Sequence, residues 1–284
     1  MIKNASLLTI ILIFAFSRDS SAQYSYRKSQ WTSNWDGALR KGLHIGVVGS
    51  FNSSWIFNQN NYNTLNLFNE PIVRQSEMDY VFTWGGNLGI ELGYQFHKNW
   101  GIQIEPSFSW AGQKYDDDFL GPVAKNDPTN PNYVGVIRYV NVRRIVKLQY
   151  VQIPLMLKYQ CRLDERTNFF VMAGPQIGIR TSGTETVYVN NVESIDAKKY
   201  TIDQKFQKID AGLLLNLGLD VYPKEWLVIS VGLPTYIGLT DLNGKFLKTI
   251  DWYSKNDLTY QKSRNFRIGL QAGVHYFFNR GNAY

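Results

Sequence analysis

Thiols and imidazoles are scarce in this chain. Its 284 residues include one cysteine, Cys161, and three histidines, His44, His97 and His275. One cysteine forms no internal disulfide, and residues so dispersed make no Cys/His zinc cluster, so disulfide scaffolds and zinc folds are both excluded. Charge is sparse as well: Asp, Glu, Lys and Arg make up 19% of the residues, against about a quarter in ordinary soluble domains. Beyond the N-terminus no segment approaches the run of about 20 apolar residues that a membrane-spanning helix needs. Disorder is excluded by what is plentiful, 18 Tyr, 16 Phe and 8 Trp beside 23 Gly. A soluble core rarely needs that mixture, and the question becomes where the aromatics point.

The N-terminus answers for the compartment. Lys3 precedes an apolar run from Leu7 to Phe16, too short to span a bilayer, and Ser20, Ser21 and Ala22 then precede Gln23. This pattern predicts a secretory leader over residues 1–22, cleaved after Ala22. A buried helix would need polar residues at helical spacing inside the run, which offers only Thr9. The mature chain stays basic, and Cys161 becomes an exported, unpaired thiol.

From residue 42 onward the chain reads with period two. Phe82, Trp84, Leu88, Ile90, Leu92, Tyr94 and Phe96 fall on one face of a strand, with Gly85, Asn87, Gly89, Glu91, Gly93 and Gln95 on the other. After the short turn His97-Lys98-Asn99 the alternation restarts at Trp100, and six further stretches repeat it, starting near Leu43, Val151, Phe169, Ile209, Leu227 and Phe266. That makes about eight strands. Their connections alternate between short ones, near 97–99, 161–168 and 222–225, and long ones, near 57–80, 115–146, 182–205 and 241–263. Such alternation predicts an all-β, antiparallel up-and-down transmembrane β-barrel with short periplasmic turns and long external loops.

The composition of the second face decides between this and a soluble barrel. In a soluble barrel the apolar face turns inward, and nothing requires the other face to be small. Here the other face is mostly Gly, Ser, Asn and Gln, which suits the narrow inside of an eight-stranded barrel whose apolar face meets lipid. Tyr94, Phe96, Trp100, Tyr159, Phe169, Tyr222, Trp226, Tyr276 and Phe278 lie beside the short turns, and Trp55, Phe82, Trp84, Trp110 and Tyr236 beside the long loops. Two interfacial girdles are expected from these. The organisation is therefore a leader over 1–22, a periplasmic N-terminal segment over 23–41, the barrel over 42–278 and a polar tail over 279–284. Phe278 and Tyr284 are both candidates for the terminal aromatic that barrel-insertion machinery reads.

Several segments carry a family resemblance. The opening strand Gly42-Leu43-His44-Ile45-Gly46, the stretch Ile153-Pro154-Leu155-Met156-Leu157-Lys158-Tyr159, Ala173-Gly174-Pro175, Asp210-Ala211-Gly212 and the aromatic final strand resemble the PorT-like outer-membrane β-barrel family over nearly the whole mature chain. The resemblance implies a small porin-like barrel. Through the founding member it also implies an association with a system that exports proteins across the outer membrane. Its motifs identify a fold rather than an activity.

Inward parity places Glu91, Glu105, Lys158, Arg180, Asp210, Asp220 and Arg267 in the lumen. A nearly balanced set of charges in so narrow a space forms a salt-bridged plug in preference to a solute path. His44 and His275 face inward on the first and last strands, which become neighbours on closure. Two imidazoles without a third ligand read as hydrogen-bonded lumen residues rather than a metal site. No histidine falls near the external ends of the strands, where a rim hydrolase would need its base, so no catalytic residue is assigned. No cofactor is expected either.

Arg143, Arg144, Lys147, Lys205, Lys208, Lys262 and Arg264 gather toward the external ends. They are expected to form a basic rim against the phosphates of lipopolysaccharide. Asp116, Asp117 and Asp118 lack the spacing of a calcium loop and read as a solvated turn. Asn58, Asn60, Asn61 and Asn63 suit either sugar binding or ordinary turns. Outer-membrane lipid, lipopolysaccharide and envelope or secretion-system proteins are the expected partners; nucleic acid is not one for an exported barrel. The function expected is that of a non-enzymatic interaction or scaffold barrel, with a narrow porin as the alternative.

Overall fold

Alternating apolar and small polar residues satisfy strands that meet lipid on one side and a tight interior on the other, and the backbone follows that pattern. The computed structural model describes residues 41–58, 78–123, 136–164, 166–193, 201–224, 226–245 and 262–278, all within the unit Asp36–Tyr284. The leader, the segment 23–40, the tail 279–284, Tyr284, and Asn60, Asn61 and Asn63 lie outside the described residues.

The strands are β1 (Gly42–Phe57), β2 (Asp79–Val81), β3 (Trp84–Gln95), β4 (Trp100–Ile104), β5 (Ser107–Val123), β6 (Val136–Arg162), β7 (Thr167–Val189), β8 (Val192–Glu193), β9 (Ile209–Lys224), β10 (Leu227–Gly238) and β11 (Arg264–Phe277), with one turn of helix, α1 (Ile202–Lys205). β2 with β3 and β4 with β5 form single staves, each interrupted briefly. At Pro106, between β4 and β5, the ring nitrogen has no hydrogen to give the ladder. Eight staves result, all paired antiparallel to their neighbours. The ring closes where β1 runs beside β11 from His44↔Phe277 to Phe57↔Arg264. Closure leaves no edge within the lipid span, which a bilayer would not tolerate.

The apolar set faces outward. Leu88, Ile90, Leu155, Leu157, Leu213, Leu215, Leu233 and Leu270 are all exposed, whereas Gln103, Gln152, Asn216 and Gln271, of opposite parity, are buried. Tyr94, Phe96, Trp100, Tyr159, Tyr276 and Phe278 mark one end of this face and Phe82, Trp84 and Trp110 the other. Tyr222 and Tyr236 depart from the expected girdles: both are buried inside. Tyr222 shares the inward parity of Asp220 on β9, and Tyr236 lies across from the inward-facing Arg267, so position along the strand misassigns them where parity does not.

Three staves outgrow the bilayer. β6 has 27 residues, which at about 3.4 Å each and a tilt of about 45° rise about 65 Å, more than twice the hydrocarbon thickness of about 30 Å. Its outward face changes character at the same point, from Leu155, Ile153 and Val151 to Gln149, Lys147 and Arg143. The second and third long connections are correspondingly shorter than the alternation predicts, because β5 and β6 stay paired as far as Val123↔Val136 and β7 runs on to Val189. There the two-residue turn Asn190-Asn191, both at positive φ, hands the chain to β8, a hairpin geometry that asparagine tolerates.

One irregularity re-aims a whole segment. In the β6–β7 ladder Arg180 faces Tyr150 and Ser182 faces Gln149, so Thr181 is an extra residue. This bulge exchanges the faces of β7. Below it Gln176 and Arg180 point inward; above it Glu185 and Val187 do. Above the bulge the interior holds an apolar cluster beside the buried charges of Arg144, Glu185 and Lys205. Ile56, Met78, Tyr115, Val142, Val146, Leu148, Tyr150 and Val187 pack around Phe206 and Leu242, contributed by the chain that follows β7 and β10. These residues cap the mouth.

Candidate functional site: a filled lumen

At the short-turn end, four adjacent staves each supply one polar side chain. Glu91 Oε1 on β3 lies 3.0 Å from His44 Nε2 on β1 and 3.0 Å from His275 Nδ1 on β11. On β10, Ser230 Oγ lies 2.5 Å from His275 Nε2. Glycine makes room for the rings: a Cβ at Gly93 would strike the His44 imidazole, and one at Gly46 would strike His275. His44 stacks on Phe277 at 4.8 Å between centroids. The chain Ser230–His275–Glu91 has the connectivity of a serine-hydrolase relay. The adjoining cavity measures about 10 Å³, room for about one water and none for an acyl group.

One layer up, Lys158 Nζ pairs with Asp220 Oδ2 at 2.7 Å and lies over the Phe170 ring. Next comes a hydrogen-bonded bar across the barrel. Gln103 Nε2 donates to Glu105 Oε1 at 2.5 Å, Gln271 Nε2 donates to Glu105 Oε2 at 3.1 Å, and Asn216 Nδ2 donates to Gln271 Oε1 at 2.6 Å. Above the bar, Arg267 lies 4.4 Å over the Tyr236 ring and its Nη1 donates to Ser109 Oγ at 3.0 Å. Asp210 accepts from Asn265 at 2.8 Å and from Thr240 at 3.2 Å. Arg180 donates from Nη2 to Asp203 at 2.6 Å and to the Phe206 carbonyl at 3.2 Å, so it ties the cap to the wall.

All seven residues assigned to the lumen from parity are therefore buried there, none more than 7% exposed. The seven assigned to a basic rim divide. Arg143, Lys147, Lys208, Lys262 and Arg264 are exposed, with Arg143 also paired to Asp116 at 2.9 Å. Arg144 and Lys205 instead point inward. Arg144 shares the parity of Val146 and Leu148, and Lys205 sits on α1, inside the mouth. Both bind Glu185: Arg144 Nε lies 2.6 Å from Oε1, and Lys205 Nζ contacts Oε2. Burial pushes the Glu185 carboxyl up, but the Arg144 and Lys205 charges outweigh it and hold it below the usual carboxylate range. Glu185 escapes a strand-parity reading because Thr181 intervenes.

The acidic run is likewise not a turn. It lies on β5, where Asn141 Nδ2 donates to Asp116 and Asp118 at 3.0 and 2.9 Å. Ser230, Gln103, Gln271 and Asn216 carry no signal of their own in the sequence beyond inward parity. Among the described residues no group of three or more His, Cys, Asp or Glu is arranged to hold a metal.

A closed ring of eight antiparallel staves, apolar outside and polar inside, defines a small outer-membrane β-barrel, and its place is the outer membrane. Residues 21–244 match the family described as outer membrane protein beta-barrel domain, and the chain belongs to that family. Among solved structures it is similar to Neisserial surface protein A, at 11% identity and TM-score 0.41, over 84% of this chain and 97% of that one. It is also similar to OprG of Pseudomonas aeruginosa, at 13% identity and TM-score 0.39, over 86% and 99%. The Escherichia coli outer membrane protease OmpT resembles it at 9% identity and TM-score 0.32, over 84% and 97%. No curated protein sequence matches it.

Proposed function

We propose that this chain is a non-enzymatic, non-conducting barrel whose work is done on its outside, as an interaction or scaffold component of the envelope. One observation carries the reading: from His44, Glu91 and His275 through Lys158, Asp220, Glu105 and Gln271 to Arg267 and Asp210, the lumen side chains are nearly inaccessible to water. A conducting pore must leave its lining wet. The apolar cap around Phe206 and Leu242 supports the same reading at the external end, as does the lack of room beside Ser230 for a substrate.

The resemblance to PorT-like barrels supports a role in a protein-secretion assembly. The tall wall of β5, β6 and β7 offers a surface for such a partner above the membrane. Arg143, Lys147, Lys208, Lys262 and Arg264 are placed to meet lipopolysaccharide phosphates, since Lys147 stands just beyond the apolar band that ends at Val151. Export by a leader ending at Ala22 belongs to the same reading. Proteoliposomes containing the purified chain should not swell in a small sugar, and gentle cross-linking in cells should recover an envelope protein reproducibly. Swelling together with no recovered partner would make the narrow-porin reading the better one.

A further inference from the structure

The lipid-facing surface is taller on one side of the ring than on the other. On β1 it is apolar or aromatic from Leu43 to Phe57, save Gly49 and Ser53, about 34 Å at about 3.4 Å per residue and a tilt of about 45°, against an apolar band of about 25 Å for such barrels. On β6 it runs only from Tyr159 to Val151, about 19 Å. The excess on β1 is aromatic and lies at the external end. Phe51 stacks on Trp84 at 4.3 Å between centroids, Phe82 meets Trp84 at 4.4 Å and Trp55 at 6.3 Å, and Phe266 meets Trp55 at 5.6 Å and Phe57 at 5.9 Å. The rings form one connected network. Phe51, Phe57, Phe82 and Trp84 are 43–60% exposed, whereas Ser53, of outward parity, is buried beneath them.

A girdle that only marked the headgroup layer would go round the barrel. At the external end of the opposite wall the outward positions are instead Gln149 and Lys147 on β6 and Ser182 and Thr184 on β7. The rings are also flanked by charge of one sign. Arg264 lies across the ladder from Phe57. Asn58 laces the two strand ends together: its Nδ2 donates to the Lys262 carbonyl at 2.9 Å, and its own carbonyl accepts from Ser263 Oγ at 3.2 Å. Lys262 and Arg264 are exposed, and neither β1 nor β11 contains an acidic residue. A phospholipid headgroup layer is about 5–7 Å deep, too shallow to cover the roughly 9 Å by which β1 overtops the apolar band. The occupant must therefore offer apolar faces above its acyl chains and carry negative charge. A phosphorylated saccharide bearing acyl chains does both, with chains on Phe51 and Trp84, sugar C–H faces on Phe57 and Phe82, and phosphate on the two cations.

We propose that the external end of the β11–β1–β3 face is a discrete site for one lipopolysaccharide molecule, held by its phosphorylated sugars between the ring network and the Arg264–Lys262 pair. The inference rests on the reading that the basic rim meets lipopolysaccharide, and narrows it to the one side where cations and this network coincide. Arg264 and Lys262 then bind a held lipid, while Arg143, Lys147 and Lys208, on the other wall, meet lipid that exchanges.

The test is native mass spectrometry of the full chain, refolded without lipopolysaccharide and offered equal amounts of deep-rough lipopolysaccharide and phosphatidylglycerol in mild detergent. One lipopolysaccharide per barrel is expected, preferred over phosphatidylglycerol by about tenfold or more. Phe57→Ser and Arg264→Gln, each at the surface and each checked for heat resistance of the barrel in detergent, should lower the bound fraction severalfold. Equal retention of the two lipids would overturn the proposal, because the rings would then be an ordinary girdle. Binding unchanged in both variants would overturn it too, as would a photo-cross-linker in place of Phe57 that captures a protein in cells rather than lipopolysaccharide. Retention of the unaltered chain on immobilised lipopolysaccharide separates the two readings: where it persists and depends on Lys147, only the discrete site fails, and where it is absent the basic rim falls with it.

Discussion

Replacing Glu185 with glutamine should open the cap of the barrel without opening the barrel. The carboxylate sits above the Thr181 bulge, with Arg144 2.6 Å from one oxygen and Lys205 on the other, and its side chain is 4% exposed. Glutamine keeps the volume but removes the charge both cations share, and removing one partner of a buried ionic cluster costs about 3–5 kcal/mol. Lys205 belongs to α1, whose attachment also depends on Phe206 in the apolar cluster and on Arg180, so the cost falls on the cap. At about 1.4 kcal/mol per decade the opening equilibrium should rise by about a hundredfold or more. Limited trypsin digestion of intact proteoliposomes reads this directly, by cleavage after Lys205 and Lys208, while resistance of the barrel to heat in detergent reads the rest. Acid should act in the same sense. The folded carboxyl is held below its ordinary value of 4.5, so its contribution is full above that value and is lost as pH falls through the depressed one. If the glutamine variant is cleaved no faster than the parent, the ion cluster does not hold the cap.

Other changes test other layers. Gly93→Ala should destabilise the barrel by about 1–3 kcal/mol through overpacking against His44, and His44→Ala in the same chain should restore most of the urea midpoint in detergent. Lys158→Met should cost about 3–5 kcal/mol by stranding Asp220, and Lys158→Met with Asp220→Leu should recover much of it, because an apolar pair of similar volume avoids the desolvation. Leu215→Arg, on the lipid face, should cost about 2–4 kcal/mol in lipid vesicles. The exposed Lys147→Ala should leave folding unchanged but shorten retention on immobilised lipopolysaccharide; unchanged retention would remove Lys147 from the lipid-contact surface.

Strand parity alone makes much of this molecule legible. Leu88, Ile90, Leu155 and Leu215 announce the lipid face, and the glycine and amide residues between them announce a narrow interior, because the side-chain period of a strand is two residues whatever its neighbours are. The same rule puts all seven charged lumen residues inside. It fails where the count of residues changes. Thr181 inserts one residue into β7, which hides from any reading of the alternation the Glu185 carboxylate that pairs with the inward-facing Arg144 and Lys205. Lys205 is further concealed because α1 is a single turn whose Ile202 packs against the apolar cluster in the mouth, a long-range contact that no local pattern encodes. Tyr222 and Tyr236 show a different limit: an aromatic near a strand end suits a girdle by composition, but only its parity says whether it reaches lipid or, like Tyr236, lies beneath an arginine. The bar through Gln103, Glu105, Gln271 and Asn216 joins three staves far apart in sequence. It emerges only once the ring is closed.

The central claim is that the lumen is filled by its own side chains. Single-channel recording of the purified full chain in planar bilayers at high salt tests it most directly. The structure predicts insertion without steady current, with sporadic openings at most; an ohmic, long-lived conductance step from the unaltered protein would contradict it.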